Sequence, residues 1–404
     1  MLSNGFINLQ KTEIMNKINK TLLICSLMCI FTAMSVNLYA GNRDRSGQAG
    51  AQHLLIDPWA RSTGWGTAGV AEIRGLEAMY SNVGGMAFVN KTELAFSHTR
   101  YLVGSGAGIG ISSFAIAQSL KAKNKTTGAI RDFGVLGISF YTMGFGDIEI
   151  TSEAQPEGNQ GTFSPKLSYL ALHYAKSFND YIHGGISLKI VTETGAADAK
   201  ATGFAIDAGV QYLTGAFKNF KIGLTLKNIG MPMKYSGDGL GHRVFASNVD
   251  WEQTMESRSA QYELPTLLVM GISYDFLIWG KEYKDWSRED KKDELLTRDD
   301  AAHRITLAAS FTANSFSRDL FTFGAEYALG HVFMVRAGYN FETGMYNVEN
   351  CTTWYSGPAV GATVGIPLQN KSKGVNRSRL YLDYSYRFTN KWGGNHCVGL
   401  KLAL

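Results

Sequence analysis

Alternation of apolar and polar side chains dominates the second half of the chain. In the last segment, from Val398 to Leu404, every other residue is apolar. The same alternation runs through residues 379–388, 220–227 and 203–212. Successive side chains of a β-strand point to opposite faces, so each segment has one apolar face and one polar face. The pattern therefore predicts amphipathic β-strands.

The polar faces of these strands carry full charges at mid-strand. The charged residues are Lys189, Asp207, Asp275, Arg336 and Asp383. The inner face of a sheet sandwich does not accept such charges, and lipid does not accept them on an outer face. A closed barrel with a water-filled lumen and a lipid-facing wall accepts both faces. We therefore predict an all-β fold, a transmembrane antiparallel β-barrel.

From Glu93 onward, the alternation divides the chain into about fourteen segments, each near the ten residues that a tilted spanning strand needs. The predicted strands are 93–102, 107–118, 131–143, 166–176, 182–192, 202–213, 219–228, 264–277, 303–312, 319–329, 331–341, 358–367, 378–388 and 395–404. An even count of strands returns the chain to the periplasmic side from which it started. Residues 93–404 are thus predicted to form the barrel.

Long connections between the predicted strands alternate with short ones. Connections 144–165, 229–263 and 342–357 are predicted to be extracellular loops, and 177–181 and 215–218 are predicted to be periplasmic turns. Long outer loops and short periplasmic turns are typical of outer-membrane barrels. Connection 278–302 is an exception, because it is long, highly charged and periplasmic. It is interpreted either as a partner-binding segment or as a solvated charge run.

The start of the chain has the pattern of a targeting signal followed by a segment that is not strand-like. Lys17 and Lys20 precede the apolar run 21–36, and Ala40 is a small residue suited to cleavage. Residues 1–40 are therefore predicted to be a signal peptide. Residues 41–92 are rich in glycine and turn residues. We predict that they form an N-terminal plug with one short helix around residues 76–80; the alternative is an extended periplasmic lead-in.

The amino-acid composition is typical of an outer-membrane barrel and argues against nucleic acid as a partner. Of the 404 residues, 45% are hydrophobic, and the mean hydropathy is −0.09. Outer-membrane barrels have such values because only alternate residues face lipid. The 45 glycines and the 12% aromatic content, with 7 prolines, favour long strands and tight turns. The formal charge of +5 is too small to indicate binding to nucleic acid.

Motifs of catalysis are missing from the sequence. It has no Gly-x-Ser-x-Gly, His-Glu-x-x-His or Cys-x-x-Cys pattern. Ser168 and His173 fall on opposite faces of a predicted strand and cannot act together. The glycine-rich run 106–110 is interpreted as part of a strand with small lumen-facing residues, since no phosphate-binding helix follows it. We therefore expect no enzyme, no cofactor and no metal site.

Two cysteines and three aromatic residues of the predicted loops are candidates for specific roles. Cys351 and Cys397 both fall at the extracellular rim of the predicted topology, so we predict a disulfide between them in this oxidising setting. Trp251, Trp354 and Tyr355 are candidate partner-binding anchors, because interfaces are enriched in Trp and Tyr. The alternative is that these three belong to the aromatic girdle at the membrane interface.

The predicted plug resembles a known family. The resemblance is carried by residues 60–71, with Arg61, Gly64, Trp65 and Gly66, and by residues 78–87, with Asn82. These segments are similar to the amino-terminal signature of the PorV/PorQ family, relatives of the FadL-type long-chain fatty-acid transporters. Further similarity lies at residues 134–150, 207–210, 227–230, 263–266 and 336–339. Two departures are Val83-Gly84 in place of Pro-Ala, and Leu404 where such proteins often end in an aromatic residue.

The resemblance implies a FadL-like barrel of about fourteen strands in the outer membrane of a Gram-negative, Bacteroidetes-type bacterium. It also implies a role in type IX secretion, with translocon or attachment-complex proteins and the C-terminal domains of cargo as partners. The other hypothesis is a FadL-like channel for hydrophobic small molecules. A channel requires an apolar pocket inside the barrel, whereas a cargo-binding protein requires exposed aromatic patches on its loops. The lumen charges and the aromatic loops favour the secretion role.

Overall fold

The computed structural model describes residues 42–123, 130–151, 155–195, 199–215, 217–245, 251–279, 301–342, 344–346, 353, 355–368, 378–389 and 392–404. The predicted signal peptide, residues 280–300 of the charged connection, Cys351 and Trp354 lie outside the described residues. Among the described residues, no helix is both long enough and apolar enough to span a membrane.

Fourteen antiparallel strands form one closed sheet. Their bounds are β1 Thr92–Arg100, β2 Gly110–Lys123, β3 Ile130–Gly144, β4 Lys166–Ser177, β5 Ile182–Thr194, β6 Lys200–Thr214, β7 Phe220–Gly230, β8 Leu267–Ile278, β9 His303–Asn314, β10 Leu320–Leu329, β11 Phe333–Glu342, β12 Gly357–Pro367, β13 Arg379–Arg387 and β14 Asn395–Ala403. Each strand pairs with the next along the chain, and β14 pairs with β1, which closes the barrel. The predicted fold class is confirmed, with strand bounds shifted by a few residues.

The two faces of the strands differ as the alternation predicts. Along β6, buried and exposed residues alternate from Lys200 to the end of the strand. Phe204 on the outer wall is 59% exposed, whereas Asp207 on the inner face is 1% exposed. In β14, Leu400 is exposed and its neighbour Lys401 is buried. Because only lipid can cover an apolar wall of this kind, the exposed face is the membrane-facing one.

Protein fills much of the lumen within the described part of the barrel. Residues 42–91, called the plug from here on, lie inside the barrel and bury the lumen-facing charges. The plug contains α1 Ala60–Gly64, α2 Ala78–Ser81 and 3-10 turns at Gln52–Leu55, Ala68–Ala71 and Val83–Phe88. Helix α2 begins two residues after the start predicted from the sequence. Short turns connected by glycines let the plug change direction within the narrow lumen.

The plug runs along the whole length of the barrel. It starts at the end where β1 stops and β14 begins, called the long-loop end from here on. There the N–H of Asn42 donates to the carbonyl of Asn314 at 3.4 Å, and the N–H of Gly50 donates to the carbonyl of Glu263 at 3.0 Å. At the opposite end, the N–H of Leu76 donates to Oε2 of Glu93 at 2.8 Å. The plug therefore crosses the lumen before the chain enters β1.

Three connections differ from their predicted structure. The connection after β3 contains a short antiparallel ladder, Ile148–Glu149 with Thr162–Phe163. The glycine-rich run is mostly loop, because β2 begins only at Gly110, and Gly106 and Gly108 have positive φ angles that end a strand. The long connection after β7 contains a two-stranded hairpin, Gly241–Phe245 with Glu252–Glu256. Secondary structure in this connection means that a folded element stands above the long-loop end.

Replacing Leu400 by arginine should destabilise the barrel by about 2–4 kcal/mol, because the charge would lie on the lipid-facing wall near the middle of β14. The free energy of unfolding can be measured by urea titration in lipid vesicles. Leu400→Phe keeps the position apolar and is the matched control. An arginine variant as stable as the phenylalanine variant would show that this face is not covered by lipid.

Candidate functional site

A pair of glycines on neighbouring strands makes room for the plug in the inner wall. Gly324 of β10 pairs directly with Gly338 of β11. A Cβ atom added at Gly338 would lie 2.1 Å from the carbonyl oxygen of Trp65, and one at Gly324 would lie 2.7 Å from the Trp65 ring. Trp65 is fully buried there, and Gly66 follows it with a φ of +65°. The wall thus has a flat place that receives the plug backbone.

A second flat place receives Asn82. A Cβ atom added at Gly209 of β6 would lie 2.2 Å from Oδ1 of Asn82. The Asn82 side chain donates to the carbonyls of Val70 and Val210, each at 3.0 Å, and its Oδ1 accepts from the N–H of Gly84 at 3.1 Å. One buried amide therefore joins two parts of the plug to the barrel wall. Because a buried amide requires partners for both of its ends, this position selects asparagine.

Ion pairs hold the lower half of the plug. The Lys221 ammonium, fully buried on β7, binds the carboxylates of Glu72 on the plug and Asp275 on β8, the latter at 2.5 Å. Lys401 of β14 binds Glu77 of the plug at 2.8 Å. Loss of one partner of such a buried pair leaves an uncompensated charge, which costs about 3–5 kcal/mol. The plug and the barrel are thus mutually dependent.

Arg61 connects these charges to a second group of residues. Its guanidinium lies 3.8 Å from the carboxylate of Glu77 and 3.7 Å from that of Glu326 on β10. Glu326 also binds Arg304 at 2.9 Å and Arg336 at 3.0 Å. Burial raises the pKa of Glu77, but Lys401 and Arg61 lower it more, so the net pKa lies below its usual value. Glu77 therefore remains ionised and attractive to both cations.

A cavity of about 590 Å³ lies between the upper half of the plug and the long-loop end of the barrel. Apolar side chains form much of its wall. They include Leu55 and Val70 of the plug, Phe145, Leu267 and Val269 of the barrel wall, and Phe316 above β9. A volume of 300–1,000 Å³ with apolar walls is typical of small-molecule sites. The cavity is therefore a candidate ligand site.

The barrel wall has a bulge next to Lys227, which lines this cavity. Alternation along β7 places Lys227 on the inner face, and a register shift of β6 against β7 between Ile206 and Ala208 turns Asn228 inward beside it. Asn228 has a φ of +59°, and its N–H donates to Oδ1 of Asp207 at 2.8 Å. A bulge of this kind re-aims a side chain at a chosen point of a strand. Strict alternation alone misplaces Asn228 on the outer wall.

Asp57 of the plug is the carboxylate of the cavity. Its Oδ1 accepts from the N–H of Trp59 at 2.9 Å, and its Oδ2 has no hydrogen-bond partner in the described part of the chain. Burial raises the pKa of Asp57 to about 6, although the charges of Lys227 and Arg387 act in the opposite direction. The carboxylate and the two cations thus form one electrostatic group at the cavity.

A hydrogen-bonded chain of serine and histidine side chains lies behind the plug, and the sequence did not reveal it. Nε2 of His173 lies 2.8 Å from Oγ of Ser139, and Nδ1 lies 2.6 Å from Oγ of Ser187. These two serines, rather than Ser168, share the inner face with His173. The space beside them is about 10 Å³, room for about one water molecule. The chain therefore has no access for a substrate.

The candidate loop residues have different environments. Trp251 is 51% exposed next to the hairpin at the long-loop end. Tyr355 is turned inward: its hydroxyl donates to that of Tyr101 at 2.6 Å, and its ring stacks against Arg387. Trp354 lies outside the described residues. The binding of partners by these three residues stays a prediction.

Cys397 is buried on the inner face of β14. Its Sγ lies 3.4 Å from Oγ of Ser97, next to the plug. Cys351 lies outside the described residues, so the disulfide between the two cysteines stays a prediction.

No protein-family model and no curated protein matches the chain. Among solved structures, it is similar to the CymD monoaromatic hydrocarbon channel, with a TM-score of 0.45 and 12% identity over 86% of this chain and 97% of that chain. The Ralstonia pickettii toluene transporter TbuX has a TM-score of 0.45 and 13% identity over 86% and 97%. A Pseudomonas aeruginosa FadL homologue has a TM-score of 0.43 and 11% identity over 85% and 96%. Likeness at this level does not transfer a ligand or a partner to this chain.

The closed sheet, its apolar outer wall and its plugged lumen define the class of protein. The chain is an outer-membrane β-barrel protein of fourteen strands. Its inner face holds two features that bear on function, the anchored plug and the cavity above it.

Gly338→Ala should loosen the plug, because the new methyl group would overlap the Trp65 backbone, which cannot move aside on its own. The expected loss of stability is about 1–3 kcal/mol, together with a rise in ion conductance across a planar bilayer. Gly144→Ala is the matched control, since a Cβ atom there meets no atom within 4 Å. Equal stability and equal conductance of the two variants would contradict the role of the flat wall.

Proposed function

We propose that this barrel binds a hydrophobic small molecule in the cavity at its long-loop end. The observation that carries the proposal is the cavity of about 590 Å³ with its apolar wall. When an apolar ligand displaces water from an apolar surface inside the barrel, the free energy decreases and binding is favoured. The position of the cavity above the plug supports capture from the side of the long loops.

Passage of a ligand through the barrel requires movement of the plug. The space beside His173, deeper within the described lumen, is about 10 Å³. A molecule that fills the cavity does not fit into it. Transport would therefore have two stages, capture in the cavity and then a shift of the plug that breaks ion pairs such as that of Lys221 with Glu72.

Val269→Trp tests the capture stage by filling the cavity from β8. Binding of naphthylacetamide, a neutral aromatic probe, should weaken by about tenfold or more, because the added ring occupies the space of the ligand. The dissociation constant can be measured by isothermal titration of the barrel in lipid nanodiscs, with empty nanodiscs subtracted. Val398→Trp, on the outer wall, is the control. Absence of binding to the unaltered protein, or equal binding by both variants, would refute the proposal.

A second candidate function is the one that the family resemblance implies, a barrel of the type IX secretion system that binds secreted proteins or translocon partners. The hairpin above the long-loop end supports it. Trp251 and Met255 are 51% and 53% exposed there, and Met231 at the base of the same connection is 72% exposed. Exposed aromatic and methionine side chains clustered on one folded element are typical of protein-binding surfaces.

Removal of the hairpin separates this candidate from the first. Replacing residues 241–256 by a tight turn should leave the barrel assembled but should remove partners that copurify from detergent-solubilised outer membranes. Trp251→Ala should weaken the same contact by about 2 kcal/mol or more if the residue is an interface anchor. Trp392→Ala, another exposed tryptophan at this end, is the control. Retention of all partners by the hairpin variant would exclude the hairpin as the binding site.

A further inference from the structure

We propose that the cavity selects a ligand with an anionic group, which Lys227 and Arg387 bind together. The ligand class is a compact aromatic carboxylate or sulfonate. The inference rests on the proposed function, because it assigns a specificity to the same cavity. It differs from that function in requiring a charge on the ligand.

The Lys227 ammonium has no anion of its own. Asp207, the carboxylate on the neighbouring strand, binds Lys189 at 2.5 Å and accepts the N–H of Asn228. Within the described residues, Lys227 makes no ion pair or hydrogen bond, and its contact is the ring of Tyr80, with 3.3 Å from Nζ to the centroid. Lys227 is 4% exposed and lines the cavity. A buried cation without an anion is costly, and a bound anion removes that cost.

Arg387 supplies the second cation. Its guanidinium stacks 4.3 Å from the centre of the Tyr355 ring and donates to the Tyr355 carbonyl at 3.3 Å. Its Nε has no hydrogen-bond partner within the described residues, although the side chain is 6% exposed. A guanidinium presents several donors in a fixed plane, which suits the two oxygens of a carboxylate or sulfonate. Tyr355 occupies one face of this plane and one donor of its edge, and Nε has no partner among the described residues.

Two cations of the cavity lining share one carboxylate. Lys227 and Arg387 both line the cavity and both interact with Asp57. Asp57 acts on both Lys227 and Arg387 and neutralises part of their charge. The remaining positive charge attracts an anion from the side of the long loops. Asp57 should also weaken the binding of that anion, because the two negative charges repel each other.

The walls next to the cations favour an aromatic body for the ligand. Tyr80, Tyr101, Phe145, Phe316 and Tyr355 all line the cavity. The rings of Tyr101 and Tyr355 lie 6.3 Å apart at an angle of 52°. Rings at such distances and tilts accept a further ring in an offset or edge-to-face arrangement. The cavity thus combines an aromatic wall with a cationic group.

The test compares naphthylacetate with naphthylacetamide, which share a shape and differ in charge. Isothermal titration of the barrel in nanodiscs of zwitterionic lipid gives both dissociation constants. The unaltered protein should bind the acetate about tenfold more tightly than the acetamide. Lys227→Met and Arg387→Gln should each bring that ratio towards one, and Lys227→Arg should keep the preference. Asp57→Asn should raise the ratio by about threefold or more, because it removes the competing carboxylate.

The controls distinguish failure of the inference from failure of the proposed function. Lys200→Met, an exposed lysine outside the cavity, should leave both affinities unchanged. If neither compound binds the unaltered protein, the proposed function fails. If both bind equally tightly, or if the preference for the acetate persists in Val269→Trp, the anion site is refuted while capture of neutral molecules can stand. Should Lys227→Met not fold, the opposite shifts expected for Arg387→Gln and Asp57→Asn decide the question.

Discussion

Neutralisation of charge in the lumen is the constraint on which this structure depends. Lys221, Lys401 and Arg336 face inward from the barrel wall, where the plug excludes bulk water. Their carboxylate partners come partly from the plug, as Glu72 and Glu77, and partly from neighbouring strands, as Asp275 and Glu326. Neither the barrel nor the plug satisfies these charges alone. The ion pairs therefore fix where the plug lies as firmly as its packing does.

Close contact between the plug and the wall depends on glycines in the middle of strands. Gly324 and Gly338 face each other where Trp65 lies, and Gly223 and Gly271 face each other where Val70 lies. Side chains at these positions would hold the plug away from the wall and separate the ion pairs. Glycine in a strand is usually unfavourable. Here the contact between two backbones offsets that cost.

The upper and lower parts of the lumen differ in how completely their charges are compensated. In the lower part, each of the lumen cations already named has a carboxylate partner, and the plug fills the space. In the upper part, Lys227 and Arg387 line an open cavity, and Asp57 offsets only part of their positive charge. The incompletely compensated positive charge thus lies at the long-loop end. That asymmetry supports the proposed capture of a ligand at this end.

The sequence by itself determined the barrel. Alternation in segments such as 203–212 and 398–404 specifies both faces of each strand, because lipid accepts only apolar side chains and the period of a strand is two. Most mid-strand charges could be assigned to the lumen for the same reason. The sequence alone also marked Arg61, Trp65 and Asn82 as members of one segment, through a family resemblance.

Only the tertiary structure decided what fills the lumen and which residues meet there. The plug partners of Lys221 and Glu326 are Glu72 and Arg61, which lie far from them in the sequence, and no local pattern relates them. The glycine content predicts long strands and tight turns, and the role of the mid-strand glycines is visible only against the plug. The inward turn of Asn228 depends on a register shift between two strands. Such features arise from contacts across the barrel, which a one-dimensional pattern does not encode.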